Sequence, residues 1–174
     1  MTVRVALFRA VNIGGHNKLP MAELVRLLED LGCRNVRTYV QSGNAVFRRD
    51  GDAATLAGRI GAAVEQRHGF RPGVLVWDAG ELERAVAGNP FPEADADPRS
   101  LHLFFLSERP RDPDLDALER AKAASERFML GGRVLYFHAP DGVGRSKIPA
   151  RVEAALGVEA TGRNWRTVRK LLEI

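Results

Sequence analysis

The spacing of apolar residues switches between the alternation of a β-strand and the spacing of an α-helix along the chain. The order of these switches constrains the fold more than any other feature. Residues 3–8 alternate as in a β-strand, and residues 21–31 place apolar side chains at helical spacing. The remaining predicted elements of the first half are strands at 36–40, 45–47 and 73–77, a helix at 56–67 and, after the last strand, a short helix at 79–87. The first half therefore reads βαββαβ, which is the element order of a ferredoxin-like lobe.

A second pattern of the same kind follows residue 100. Its predicted elements are strands at 101–106, 127–130 and 133–137, helices at 115–124 and 146–156, a short strand at 158–161 and a terminal helix at 165–172. The sequence thus predicts an α+β protein with two ferredoxin-like lobes, the second degenerate, and a C-terminal helix. We place the first lobe at residues 1–90, a proline-rich linker at 91–100 and the second lobe at 101–174.

Composition argues against a membrane-spanning protein and against a protein held together by disulfides. Hydrophobic residues make up 45% of the chain, and no apolar run approaches the roughly 20 residues that cross a bilayer. The beginning of the chain lacks an export signal, and a single cysteine excludes an internal disulfide. These features predict a cytoplasmic protein that does not bind membranes. No spacing typical of a zinc site, a P-loop or a serine nucleophile occurs, so we predict no metal and no cofactor.

Charge is distributed unevenly along the sequence. Residues 1–49 carry eight basic and three acidic side chains, and residues 145–174 carry seven and three. The middle of the chain is acidic, with eleven basic and sixteen acidic residues. The two basic ends are therefore the candidates for binding an anion.

Four polar segments in or beside the basic ends could carry chemistry. The first lies between a strand and a helix, where glycines allow a ligand close to the backbone and a histidine and a lysine are available. The second is a hairpin turn rich in amides, the third combines cations with a hydroxyl, and the fourth precedes the last helix. The candidate ligand-binding residues are Asn12, Gly14, Gly15, His16, Asn17, Lys18, Gln41, Ser42, Asn44, Arg145, Ser146, Lys147, Arg163, Asn164 and Trp165.

Each segment also has a purely structural interpretation as a tight turn or a helix cap. Asn164 is a natural N-cap, and Ser146 is in the position to cap a helix that ends at Leu156. Cys33 follows the C-terminal end of a helix, which does not lower a thiol pKa, so we do not expect it to act as a nucleophile.

Residues 8–18, 38–47, 144–147 and 161–168 resemble the signature blocks of a bacterial family called domain of unknown function 1697. This resemblance implies a cytosolic α+β protein with two ferredoxin-like halves, and it implies no activity. The blocks of the family coincide with the four polar segments.

We therefore predict that the four segments converge on one cleft that binds an anionic ligand, either nucleic acid or a phosphate-bearing small molecule. One alternative is an enzyme acting on a small anionic metabolite, with His16 or Lys147 transferring a proton. A second alternative is a scaffold or dimer that uses sheet edges or apolar faces.

Overall fold

The structure, a computed structural model, describes residues 1–174. The chain forms two compact units, one made of Met1–Arg84 with Lys170–Ile174 and the other of Ala85–Arg169. Each unit contains one four-stranded sheet. None of the helices combines the length and apolar character that a membrane span needs.

The first half of the chain has the predicted ferredoxin-like topology. Its strands are β1 (Val3–Arg9), β2 (Arg34–Thr38), β3 (Asn44–Arg48) and β4 (Gly73–Asp78), and its helices are α1 (Met21–Asp30), α2 (Ala53–His68) and α3 (Ala79–Ala87). The strand order is β2-β3-β1-β4, and β1 pairs antiparallel with both β3 and β4. The prediction for this lobe is therefore confirmed.

The core of unit 1 forms where α1 and α2 pack on the sheet. Leu24, Leu27 and Leu28 of α1 are fully buried, and burying each leucine contributes about 2 kcal/mol. Asp52 is the N-cap of helix α2, and its carboxylate accepts a hydrogen bond from the Thr55 N–H at 2.8 Å. These contacts hold α1, and with it the loop that leads into α1, in a fixed position.

Cys33 is the only cysteine of the chain and lies in the core of unit 1. Its backbone N–H donates to the Leu28 carbonyl at 2.9 Å as the chain leaves α1. Burial raises the pKa of the Cys33 thiol, which keeps the sulfur protonated and unreactive in the folded protein.

The second half repeats the topology with shorter helices. Its elements are β5 (Leu101–Leu106), α4 (Leu115–Ala121), β6 (Arg127–Gly131), β7 (Val134–His138), α5 (Val152–Leu156), β8 (Ala160–Asn164) and α6 (Trp165–Leu171). The strand order β6-β7-β5-β8 matches that of the first sheet position by position. The prediction of two ferredoxin-like lobes with a C-terminal helix is confirmed.

The predicted helix from Ser146 to Leu156 is wrong in its first half. Two 3₁₀ turns, Val143–Arg145 and Pro149–Arg151, precede α5. The Ser146 Oγ accepts a hydrogen bond from the Ile148 N–H at 3.1 Å, so the hydroxyl closes a turn and does not cap a helix. Proline suits the start of the second turn because it has no N–H to pair.

Strand β8 extends beyond the short strand predicted at 158–161 and includes most of the fourth polar segment. Pairing with β5 runs from His102 opposite Asn164 to Leu106 opposite Ala160. Gly162 fits here because a Cβ on it would stand 2.9 Å from the Phe104 ring. The absence of a side chain at Gly162 therefore lets the Phe104 ring pack against the strand.

The predicted linker, residues 91–100, lies in the second unit. It contains two 3₁₀ turns, Pro92–Asp95 and Pro98–Ser100, and Ala94 in the first of them is fully buried. This segment is thus packed against the protein along part of its length.

Asn164 is the N-cap of α6, as predicted, because its Oδ1 accepts a hydrogen bond from the Thr167 N–H at 2.9 Å. Replacing Asn164 with alanine removes this acceptor and is expected to cost about 1 kcal/mol of unfolding free energy, measured by urea denaturation. Asn164→Asp keeps an acceptor at this position and should cost only a few tenths of that. Equal losses in the two variants would contradict the capping role.

Candidate functional site

The first polar segment, residues 10–18, is built from an unusual run of left-handed backbone conformations. Five of its nine residues have positive φ: Ala10 (60°), Asn12 (54°), Gly14 (57°), Gly15 (76°) and Asn17 (54°). Asparagine tolerates this region better than most residues, and glycine adopts it freely. The sequence of the segment is therefore matched to a tightly folded loop.

Asn12 holds the loop closed and ties it to the second polar segment. Its Nδ2 donates to the Leu19 carbonyl at 2.9 Å and to the Gln41 carbonyl at 2.7 Å. Its Oδ1 accepts from the Leu19 N–H at 2.7 Å. One side chain thus uses three hydrogen bonds to join two loops that are far apart in the sequence.

The second segment, residues 39–44, packs closely against the first. Gly43 has φ +91°, and its carbonyl accepts from the Phe8 N–H at 2.9 Å. A Cβ on Gly43 would stand 2.6 Å from Phe8 Cβ and 2.7 Å from Val11 Cγ2, so only glycine fits. Asn44 is fully buried and its Nδ2 donates to the Tyr39 carbonyl at 2.9 Å. We call residues 10–18 and 39–44 the loop cluster.

The loop cluster presents polar groups outward from this fixed scaffold. The side chains of His16, Lys18 and Gln41 are exposed and make no hydrogen bond or ion pair within the protein. Ser42 is also exposed, and its Oγ accepts from Asn44 Nδ2 at 3.3 Å. Nothing lies within 4 Å of where a Cβ would stand on Gly14 or Gly15, so a ligand can reach the backbone there.

The strands and loop segments around the loop cluster carry no acidic residue up to the first turn of α1, where Glu23 lies. Residues 1–22 and 31–49 contain seven lysine and arginine side chains and no aspartate or glutamate. Arg4 pairs with Asp78 of β4, whereas Lys18 has no carboxylate partner. The local field of the loop cluster is therefore positive, and its exposed groups are mostly hydrogen-bond donors.

The third segment, in unit 2, carries two exposed basic side chains, Arg145 and Lys147, which lie in different surroundings. Arg145 ends a 3₁₀ turn, and Lys147 lines a cavity of about 200 Å³. Arg120 of α4 and Arg151 line the same cavity. Sequence reasoning missed both arginines: Arg151 lies outside the third segment, and Arg120 is distant in the chain and comes near Lys147 only through the packing of α4 beside α5.

In the fourth segment, Arg163 and Trp165 are buried and hydrogen-bonded within the protein. Arg163 is buried in β8, and its guanidinium donates to Thr161 Oγ1 at 2.8 Å and to the Gly162 carbonyl at 2.9 Å. Burial lowers the pKa of Arg163 to about 10. Trp165 is buried and its Nε1 donates to Asp95 Oδ1 at 2.9 Å.

The structure thus joins the first and second segments in unit 1 and places the third and fourth in unit 2. The convergence of all four on one cleft stays a prediction. Across the whole chain, no group of three or more His, Cys, Asp or Glu side chains is arranged to hold a metal ion.

In unit 2, His138 packs in a cluster with an aromatic ring and a charged pair. Phe91 stacks on the His138 ring at 5.5 Å between centroids, and the Arg127 guanidinium lies 4.9 Å from the Phe91 ring centre. Arg127 also pairs with Glu93 and lies 3.3 Å from His138 Nδ1. Burial lowers the pKa of His138, and Arg127 lowers it further, whereas Asp97 opposes the shift.

This shift predicts a pH dependence of stability. The folded protein binds a proton at His138 less tightly than the unfolded chain, so its contribution is complete above pH 6.5 and is lost as the pH falls toward the lower folded value. Burial lowers the pKa of His102 too, which adds loss in the same direction. We expect the unfolding free energy, measured by urea denaturation, to fall between pH 7 and 5, and His138→Gln to reduce that slope.

Comparing the two proteins at pH 8, where both histidines are neutral in the folded and unfolded chain, separates the packing cost of His138→Gln from its titration. An unchanged slope in the variant would show that His138 does not contribute to acid sensitivity.

Two four-stranded sheets with the same ferredoxin-like strand order, one carrying a donor-rich loop cluster, define a two-lobed α+β protein. The family described as "Protein of unknown function (DUF1697)" matches residues 1–136, and the chain belongs to that family. The resemblance seen in the sequence is confirmed. The matched residues include the first two polar segments, while the third and fourth lie beyond them.

Among solved structures, the chain is similar to the conserved bacterial protein SP0830 from Streptococcus pneumoniae. The two share 22% sequence identity with a TM-score of 0.77, over 99% of this chain and 97% of the other. This likeness shows the shared two-lobed fold. A search of curated proteins found no match.

Proposed function

We propose that the loop cluster of unit 1 binds a phosphate-bearing ligand, such as a nucleotide or a nucleic acid strand. The observation that carries this proposal is the Asn12 side chain, which joins both loops by hydrogen bonds and fixes the exposed donors beside each other. A scaffold that is ordered before binding loses little conformational entropy when the ligand arrives.

The chemistry of the exposed groups favours an anion. His16, Lys18 and Gln41 offer donors or positive charge, and the backbone at Gly14 and Gly15 is open to a ligand. Residues 1–22 and 31–49 carry no carboxylate, so the like charge nearest in sequence to the first loop is Glu23 in the first turn of α1. Phosphate oxygens accept hydrogen bonds from each of these groups.

A salt-dependent titration tests the proposal. We would measure fluorescence anisotropy of a labelled single-stranded oligonucleotide from about 50 to 200 mM salt, with a nucleotide as competitor. Lys18→Gln should weaken binding about three- to tenfold and reduce the slope of log K against log salt by about 0.7. The matched control is Arg26→Gln, an equal charge change on the exposed side of α1.

Equal affinity losses in Lys18→Gln and Arg26→Gln would show that only net charge matters and would contradict a site at the loop cluster. Binding that does not weaken as salt rises would contradict phosphate contacts altogether. Competition by the nucleotide assigns the site to a single phosphorylated unit, whereas its absence assigns it to the strand.

A further inference from the structure

Three basic side chains surround one small cavity in unit 2. The cavity has a volume of about 200 Å³ and is lined by Ala117, Arg120, Ala121, Lys147 and Arg151. Arg120 belongs to α4, Arg151 ends the 3₁₀ turn before α5, and Lys147 lies just before that turn. The two alanines leave room between the cations because their side chains are short.

None of these three cations is neutralised by the protein. Arg120, Lys147 and Arg151 make no ion pair and no side-chain hydrogen bond. The nearest carboxylate in the sequence of α4, Glu119, pairs with Lys122 at 3.4 Å. Like charges gathered at one cavity repel each other, and an anion placed among them removes that repulsion.

The size of the cavity defines how much of a ligand it can hold. Sites for whole small molecules usually measure about 300 to 1,000 Å³, so this cavity fits a single oxyanion group. Guanidinium groups bind the oxygens of phosphate through two parallel hydrogen bonds, and lysine adds a compact charge.

We propose that Arg120, Lys147 and Arg151 form a phosphate-binding site in unit 2, which takes inorganic phosphate or the terminal phosphate of a small phosphorylated molecule. This site is built from residues of unit 2 alone and does not depend on the loop cluster.

A titration followed by ¹H–¹⁵N correlation spectra of the full chain tests the proposal. Inorganic phosphate and methyl phosphate would be added separately, with chloride at matched ionic strength as the reference. We expect saturable shifts of the amides of Lys147 and Arg151 with phosphate and not with chloride. Saturation by inorganic phosphate alone identifies the free ion as the ligand, and saturation by both identifies a phosphate monoester group.

Variants of the cavity give the decisive comparison. Arg120→Gln and Lys147→Gln should each weaken phosphate binding about tenfold, and the double variant should abolish it. The control is Arg111→Gln, an exposed arginine of the same unit that does not line the cavity. Circular dichroism and thermal unfolding confirm that each variant is folded. Phosphate affinity in Arg120→Gln equal to that of Arg111→Gln would overturn the proposal.

The same spectra separate this site from the loop cluster. Lys18→Gln should leave the phosphate shifts at Lys147 unchanged, and Arg120→Gln should leave the phosphate response of the loop cluster amides unchanged. Phosphate shifts confined to residues 10–18 and 39–44 would overturn the cavity site while supporting the loop cluster. Shifts confined to the cavity residues would support the cavity site, and the oligonucleotide titration would then decide on the loop cluster by itself.

Discussion

Replacing Gly43 with alanine is expected to lower the free energy of unfolding by about 3 kcal/mol, measured by urea denaturation followed by circular dichroism. Two costs add at this position. The backbone has φ +91°, which disfavours any residue with a Cβ, and the new methyl group would stand 2.6 Å from Phe8 Cβ. Phe8 is fully buried in β1, so it has no free space into which to move.

Gly51 supplies the matched control for this prediction. It also has positive φ, +106°, but nothing lies within 4 Å of where its Cβ would stand. Gly51→Ala should therefore show the backbone cost alone, about 1 kcal/mol. Similar losses in the two variants would mean that the close approach of the two loops at Phe8 contributes nothing to stability.

Replacing Asn12 with alanine is expected to cost about 3 kcal/mol as well. The substitution removes three hydrogen bonds and leaves the N–H and carbonyl of Leu19 and the carbonyl of Gln41 without their partner. It also puts alanine in a left-handed conformation that asparagine tolerates. Urea denaturation measures the loss, and hydrogen exchange at the Leu19 amide should accelerate because its acceptor is gone.

Asn17→Ala is the control, because Asn17 has the same φ of 54°. Its side chain makes a single bond, to the Ala10 carbonyl at 3.1 Å, and it is exposed. We expect a cost of about 1 kcal/mol and no change at the Leu19 amide. Unchanged exchange at Leu19 in Asn12→Ala would show that Asn12 does not hold the loop closed.

Most of the fold could be predicted because buried elements impose periodicity on the sequence. The two lobes, the β2–β3 hairpin and the Asn164 cap were all visible as local patterns. Strand β8 was predicted only at its start, as a short strand at 158–161, since the sequence 161–164 is polar and contains a glycine. What makes it a strand is its pairing with β5 and the Phe104 ring above Gly162, which are both long-range contacts.

The candidate site was predictable only as a set of segments. Sequence patterns pointed to the glycines and donors of the loop cluster, but not to Asn12 as the residue that joins the loops, because its partner Gln41 is distant in the chain. Trp165 and Arg163 belong to the predicted ligand-binding set because they lie in the fourth polar segment, whereas the Trp165 hydrogen bond to Asp95 and the burial of Arg163 in β8 depend on tertiary packing. Lys147 was a candidate in the third segment, but its position with Arg120 at one cavity depends on the packing of α4 beside α5 and left no local pattern.

The buried thiol of Cys33, the single cysteine of the chain, allows local unfolding of unit 1 to be measured. Cys33 follows α1 directly, and α1 is the helix into which the first loop leads. A thiol reagent can modify Cys33 only in molecules whose α1–β2 region has opened, so the labelling rate under native conditions measures how often that happens. Because the chain has no other cysteine, this rate can be followed in every variant without engineering a probe.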